Sequence, residues 1–322
     1  MNNPKNVFIA GHDGMVGKAI KNQYLKFGNA KIITIKKNDL DLRSQAEVYN
    51  FFKNNKIDEV IIAAAKVGGI NANDTLPADF IYDNLLIECN LIHNAHLFGI
   101  NKILFLGSSC IYPKKAKQPM SEKEMLSGYL EKTNEPYAVA KIAGIKMCES
   151  YNRQFGRDYR TVIPTNLYGE NDNFNTKTSH VIPGLIARFF DAKKSNSTNV
   201  EVWGTGNQLR EFLHVEDMAS ACQFVMDMSK DQYSSLVEER NNFINVGTGK
   251  EITIKSLAKL IGKIAGYSGS ISFDESLPDG TPQKLLNVSK LSNAGWKYSI
   301  SLEEGLKRTY GWYAKNISIV KK

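Results

Sequence analysis

The chain has 322 residues, 42% hydrophobic and 23% charged, an ordinary globular composition that excludes a disordered chain or a coiled coil. Its 41 Lys and Arg outnumber 33 Asp and Glu for a net charge of +8. The basic residues fall in scattered pairs (Lys36-Lys37, Lys114-Lys115, Lys193-Lys194, Lys321-Lys322), not in the stripe of a nucleic-acid binder, so the excess fits a small anionic ligand better.

The first half alternates short apolar runs with longer amphipathic ones. Val7–Ala10, Ile32–Ile35, Val60–Ala65 and Ile103–Leu106 are near-continuous apolar runs, which predicts parallel strands covered on both faces. Between them, Val16–Phe27, Ser44–Asn54 and Asp79–Phe98 are predicted helices, followed by a helix over Tyr137–Phe155 and a strand over Tyr159–Pro164. Strand alternating with helix predicts an α/β fold, a Rossmann-type doubly wound parallel sheet. Past about residue 168 the rhythm changes. Asn171–Ser179 is polar, Val181–Phe190 reads as a helix, Val200–Trp203 and Phe243–Val246 as strands, and Ile254–Ala265 and Leu302–Lys315 as helices. The predicted organisation is a cofactor domain over residues 1–167, with a segment near 211–247 returning to it, and a smaller α/β C-terminal substrate domain over 168–322.

No apolar run approaches the ~18 residues of a membrane span. Cys89, Cys110, Cys148 and Cys222 are too sparse for a disulfide framework and too far apart for a CxxC pair. Met1–Asn6 has no signal-peptide core. A soluble, cytoplasmic protein is expected.

Gly11-His12-Asp13-Gly14-Met15-Val16-Gly17 follows the first predicted strand and opens the first helix. In that setting three glycines permit a tight turn, close approach of backbone to a pyrophosphate, and close helix–strand packing. The helix start then offers free N–H groups and its positive dipole end to phosphate. A dinucleotide is the expected ligand. The second strand runs into Lys36 and Lys37, with no carboxylate before Asp39 to hold a ribose 2′-hydroxyl, so a 2′-phosphate and hence NADP(H) is expected over NAD. A solvated lysine pair at a strand end is the plain alternative.

Tyr137 and Lys141 form a YxxxK pair, placed on one helix face by the four-residue spacing. The Lys ammonium can then favour Tyr ionisation and hold a nicotinamide ribose. Gly107-Ser108-Ser109-Cys110 follows the fourth strand, at the sheet edge where doubly wound folds place their sites. Ser108 can bind a carbonyl oxygen to which Tyr137 gives a proton. Taken alone, Cys110 reads as a small buried hydrophobe and His180 as a surface histidine. His93, His96 and His214 read as structural, and no metal set is expected.

Together these residues resemble an extended short-chain dehydrogenase/reductase. The strings GSSCIYP (107–113), QPM (118–120), NEPY (134–137), PTNLYG (164–169), SHVIP (179–183), REFLHV (210–215) and PDGTPQKLL (278–286) are similar to the GDP-L-fucose synthase family within it. The resemblance implies 3,5-epimerisation and NADPH-dependent 4-reduction of a GDP-4-keto-6-deoxy sugar, with Cys110 and His180 as the epimerising acid/base pair and Ser108, Tyr137 and Lys141 as the reductase triad. Free-residue pKa values of ~8.5 for Cys and ~6.5 for His put both within reach of neutral pH after modest shifts. It further implies cofactor contacts at Gly11, Gly14, Met15, Val16, Gly17, Lys36, Ala64, Leu106, Gly107, Lys141, Pro164, Asn166, Leu167 and His180. Substrate contacts are implied at Ser109, Asn166, Arg188, Trp203, Arg210, Asp279 and Lys284; arginines suit bidentate phosphate binding. A homodimer through the helices at 79–98 and 137–155 is implied as well. Three alternatives stand beside this: a related 4-keto heptose or dideoxyhexose, reduction without epimerisation, and a non-catalytic NADP-binding regulator.

Overall fold

The structure, a computed structural model, describes residues 4–28, 30–176, 178–276 and 280–320. Along the chain come β1 (Lys5–Ala10), α1 (Met15–Phe27), β2 (Ala30–Ile33), α2 (Gln45–Asn54), β3 (Glu59–Ile62), α3 (Ile70–Thr75), α4 (Pro77–Leu97), β4 (Lys102–Leu106), α5 (Glu135–Phe155) and β5 (Asp158–Pro164). They are followed by β6 (Asn166–Tyr168), α6 (Val181–Lys194), β7 (Asn199–Trp203), β8 (Leu209–His214), α7 (Val215–Asp227), α8 (Lys230–Leu236), β9 (Ile244–Val246), β10 (Glu251–Thr253), α9 (Ile254–Ala265), β11 (Ser270–Asp274), β12 (Gln283–Lys284), α10 (Ser289–Asn293) and α11 (Leu302–Val320).

The apolar runs become the six-stranded sheet β2-β1-β3-β4-β5-β9, parallel at every step. Successive side chains of a strand leave opposite faces. Val7, Ile9, Ile61, Leu104 and Leu106 enter one apolar cluster with Ile20, Met218 and Val225 of α1 and α7. Phe8, Val60, Ile62, Ile103 and Phe105 enter a second with Phe52, Leu91 and Ile145 of α2, α4 and α5. Both faces are therefore covered by helices, as continuous apolar runs require. The chain goes from β1 out to β2 and returns past β1 to β3. That reversal opens a crevice at the carboxyl ends of β1 and β3.

Over this end lies a second layer with its own core, in which Leu185, Ile186 and Phe189 of α6 meet Leu257, Ala258 and Ile261 of α9 and Tyr313 of α11. β8 is its central strand, flanked by β10, β12 and β6. No helix among the described residues is long and apolar enough to cross a membrane.

Several boundaries differ from expectation. β2 ends at Ile33, so Lys36 lies beyond the ladder in a turn closed by Asp39 N–H donating to Lys36 O at 3.0 Å. β3 ends at Ile62; Ala63 N–H still donates to Ala10 O at 3.0 Å, and Ala63 and Ala64 then run past Gly11. α5 starts two residues before Tyr137, with Pro136 in its first turn. α7 was not expected. Its N-cap is His214, whose Nδ1 accepts from Glu216 N–H at 3.3 Å, and histidine is not among the residues that usually signal a helix start.

Candidate active site

The glycine loop has the shape a pyrophosphate needs. Gly11 adopts φ +85°, and a Cβ there would stand 2.6 Å from Ala64 N. A Cβ at Gly17 would stand 2.1 Å from Gly11 O. Only glycine allows so tight a return between β1, the loop and α1. Gly14 is the N-cap of α1 and supplies no side-chain acceptor, and no acidic residue occupies the first turn. The N–H groups around Met15 and Val16 are thus left for an anion. The cradle fits a dinucleotide, with Lys36 and Lys37 exposed past β2, the strand beside β1.

Beyond β4, Leu106 is buried and Gly107 N–H donates to Val162 O at 2.9 Å. A Cβ at Gly107 would stand 2.4 Å from Ile163 Cδ1, so a side chain at this turn would push the end of Ile163 aside. The turn delivers Ser108, N-cap of a 3-10 turn over Ser109–Ile111, whose Oγ accepts from Cys110 N–H at 3.3 Å. The Cys110 Sγ accepts from Asn134 Nδ2 at 3.3 Å.

Tyr137 and Lys141 face this turn from α5. Burial raises the Tyr137 pKa, the charges of Cys110 and Glu88 raise it further, and hydrogen bonding with Ser108 opposes them. Tyr137 thus stays a neutral phenol through the physiological range, a proton donor. Lys141 is 2% exposed. Its Nζ lies 3.0 Å from Glu88 Oε1, over the Phe105 ring at 4.7 Å and the Tyr137 ring at 5.9 Å.

The second layer brings the remaining groups. His180 is the N-cap residue of α6. Its loop is docked on the strand-end segment after β3, where Gly69 N–H donates to Thr178 O at 3.0 Å. The surrounding protein, then the Lys284 ammonium, lower the His180 pKa, so its imidazole is neutral at pH 7. Lys284 pairs in register with Arg210 across β12 and β8. It also lines a small cleft with Ser109, Cys110 and Asn134. Ser108, Cys110, Tyr137 and Lys141 therefore form one cluster, and Lys284 links it to His180.

Arg188 stacks over the exposed Trp203 ring at 5.0 Å and donates from Nη1 to Glu201 O at 3.1 Å. Burial lowers its pKa, Glu201 opposing. Arg210 Nη1 donates to Leu209 O at 2.8 Å. Asn166 Nδ2 donates to Glu211 O at 2.8 Å, joining Pro164, Asn166 and Leu167 at the end of β5 and in β6 to β8. Asp279 lies outside the described residues.

Sequence reasoning passed over three residues. Asn134 stood unremarked in the string NEPY. Glu88 is an acid within Leu85-Leu86-Ile87-Glu88, and a charge amid a buried apolar stretch signals a buried partner. Glu211 is 0% exposed and accepts N–H from Thr248, Gly249 and Leu286, tying β8 to the segments beside it. The histidines set aside make local contacts: His93 Nδ1 meets Tyr151 Oη at 2.7 Å, and His96 Nδ1 accepts from Arg157 Nε at 3.2 Å. The described residues contain no cluster of metal-ligating side chains.

A match to the NAD dependent epimerase/dehydratase family spans residues 7–247. The chain is 56% identical over 310 residues to the GDP-L-fucose synthase of Escherichia coli (strain K12), covering 96% of this chain and 97% of that one. Among solved structures it is similar to a GDP-mannoheptose C4 reductase from Campylobacter jejuni with NADP bound, at 35% identity and TM-score 0.87 over 98% of this chain and 99% of that one. It is also similar to a GDP-L-fucose synthetase from Naegleria fowleri bound to NADP, at 27% identity and TM-score 0.88 over 100% and 98% of the two chains.

Proposed function

The chain belongs to the NAD dependent epimerase/dehydratase family and, within it, to the GDP-L-fucose synthases, and from that premise we propose that it epimerises C3 and C5 and reduces C4 of GDP-4-keto-6-deoxy-D-mannose, giving GDP-L-fucose. The observation that carries this reading is the clustering of Ser108, Cys110, Tyr137 and Lys141 at the carboxyl edge of β4, beside a loop shaped for a dinucleotide.

The ketone at C4 acidifies the protons on C3 and C5. Cys110 and His180 take and return those protons from opposite faces of the ring, with Asn134 orienting the sulfur. Ser108 and Tyr137 hold the carbonyl oxygen, and Tyr137 protonates it. NADPH, held by Gly11, Gly14, Met15, Val16, Gly17, Ala64 and Lys36, supplies the hydride that C4 accepts. Lys141 positions the nicotinamide ribose and Tyr137. Arg188, Trp203, Arg210 and Lys284 take the GDP moiety, cations against phosphate and the indole against a flat group.

We assign residues 1–167 to the cofactor domain, with the return running through α7 to β9 and not from residue 211, because β8 belongs to the second layer, and the rest of 168–322 to the substrate domain. α4 and α5 carry the dimer contact, where exposed Tyr82, Leu97, Val139 and Phe155 leave apolar surface. The cytoplasm is the compartment of action, and the four free cysteines accord with its reducing conditions.

Incubation with NADPH and a panel of GDP-4-keto sugars, with NMR identification of the product, tests the assignment. GDP-L-fucose from the 6-deoxy-D-mannose compound is the expected result. Preferential turnover of a heptose or dideoxyhexose overturns the substrate, and product without inversion at C3 and C5 overturns the epimerase half. In the same assay NADPH is preferred to NADH. A charged contact to the 2′-phosphate is worth about 1.5–3 kcal/mol, roughly one to two decades in affinity. Lys36→Ala narrows the preference, and Lys37→Ala narrows it less. Equal kcat/KM for both cofactors in the parent enzyme would refute the role of this lysine pair.

A further inference from the structure

Glu88 stands in the middle of α4, 1% exposed, with Lys141 of α5 at 3.0 Å, 2% exposed. No donor other than this ammonium serves either carboxylate oxygen among the described residues. Space for the carboxylate comes from Gly144, three residues past Lys141. A Cβ at 144 would stand 2.7 Å from Glu88 Oε2 and 2.5 Å from the Phe105 ring. Two observations thus point one way: a charge is buried against the reductase lysine, and a glycine on the facing helix leaves room for it.

Stability does not explain the arrangement. A buried ion pair adds little over a packed apolar pair of the same size, because desolvation offsets the attraction. The chemistry does offer an account. An ammonium alone beside a phenol favours phenolate, the form that accepts a proton. Ketone reduction needs the opposite form, the phenol that gives one. A carboxylate on the far side of the ammonium offsets its charge and removes the bias.

We propose that Glu88 is a positioning residue that anchors the Lys141 ammonium and offsets its charge, so that Tyr137 stays in its proton-donating form. The proposal rests on the reductase reading above. The titratable groups facing this cluster are Tyr137 and Cys148 on α5, Cys89 on α4, and Cys110 after β4, with Ser108 hydrogen bonding to Tyr137. Burial raises the Glu88 pKa, and the Lys141 ammonium 3.0 Å away opposes that rise.

The test reads Tyr137 directly in the cofactor-free protein. Tyrosine is labelled with carbon-13 at Cζ, and Tyr137→Phe assigns the signal. In Glu88→Gln the signal moves to the phenolate position at a pH at least about one unit below that of the parent, the size of change expected when one neighbouring charge is removed. The alkaline limb of kcat for C4 reduction moves the same way. Glu88→Asp, which keeps the charge, restores both toward the parent. A Tyr137 titration identical in parent and Glu88→Gln overturns the proposal, as does a Glu88→Asp protein that titrates like Glu88→Gln.

If Glu88→Gln leaves the buried ammonium unpaired and the protein does not fold, Lys141→Met and Lys141→Met/Glu88→Gln supply the comparison. With the ammonium gone, the second substitution changes the NADPH Kd by less than about twofold, the non-additivity expected of residues acting as one unit. A larger added effect shows Glu88 acting without Lys141 and overturns the proposal. A parent protein that binds NADPH yet reduces no GDP-4-keto sugar refutes the reductase reading instead, while the NMR titration still decides whether Glu88 governs Tyr137.

Discussion

Tyr137→Phe lowers the rate of C4 reduction by about 10²–10⁴-fold, the range for loss of a general acid, while NADPH binds within a few-fold of the parent. The ring that meets Phe80 edge-on at 6.3 Å remains, and only the hydroxyl is removed. Buried in the site and facing the charges of Cys110 and Glu88, that hydroxyl ionises only well above the usual tyrosine range. The sign follows: the acid form needed for reduction is present across neutral pH, and its ionisation imposes no fall in rate until strongly alkaline solution. Single-turnover oxidation of NADPH, followed at its absorbance with an epimerised 4-keto sugar, measures the effect. Near-parental turnover would mean that another group protonates O4. Lys141→Ala behaves differently and raises the NADPH Kd as well as lowering the rate, because its ammonium serves both the ribose and Tyr137.

The parallel sheet and the glycine cradle are legible in the sequence for a physical reason. β1, β3 and β4 are covered on both faces, so every residue of Val7–Ala10 or Ile103–Leu106 is apolar. Gly11 and Gly17 stand where a Cβ has no room. Ser108, Tyr137 and Lys141 are legible by spacing, since one helix turn and one strand end bring them together. The second layer is not. β12 has only two residues, and it meets β8 by pairing Lys284 with Arg210, more than seventy positions apart in the chain. No local pattern marks such a contact. Glu88 is hidden in the same way: its partner Lys141 is on another helix, and only the packing of α4 on α5 makes its charge meaningful. His180 is the intermediate case. Its loop is polar, as a surface loop would be, yet the loop is docked beside the cleft by Gly69.

Cys110→Ser and His180→Asn separate the epimerase half of the reaction from the reductase half. Serine replaces the thiol with a group of similar size that is a far weaker acid and base, so proton removal at C3 and C5 slows by about 10²–10⁴-fold. Asn134 still has an oxygen to donate to, and Ser108 still accepts the N–H of residue 110, so the turn keeps its shape. Reduction of an already epimerised ketone is then affected far less, since Ser108, Tyr137 and Lys141 are intact. His180→Asn removes the second member of the proposed acid/base pair. With its pKa lowered by the surrounding protein and by Lys284, His180 is neutral at pH 7 and gains a proton only as the pH falls below that lowered value. Its loss leaves exchange in place but blocks inversion, because the proton is no longer returned on the opposite face. The measurement is deuterium incorporation at C3 and C5 in heavy water, followed by NMR with NADP⁺ present so that reduction cannot proceed. Slowed exchange in Cys110→Ser, and exchange without inversion in His180→Asn, are the expected outcomes. If both variants exchange and invert like the parent, the pair has no part in epimerisation, and the site reduces to that of a plain 4-keto reductase.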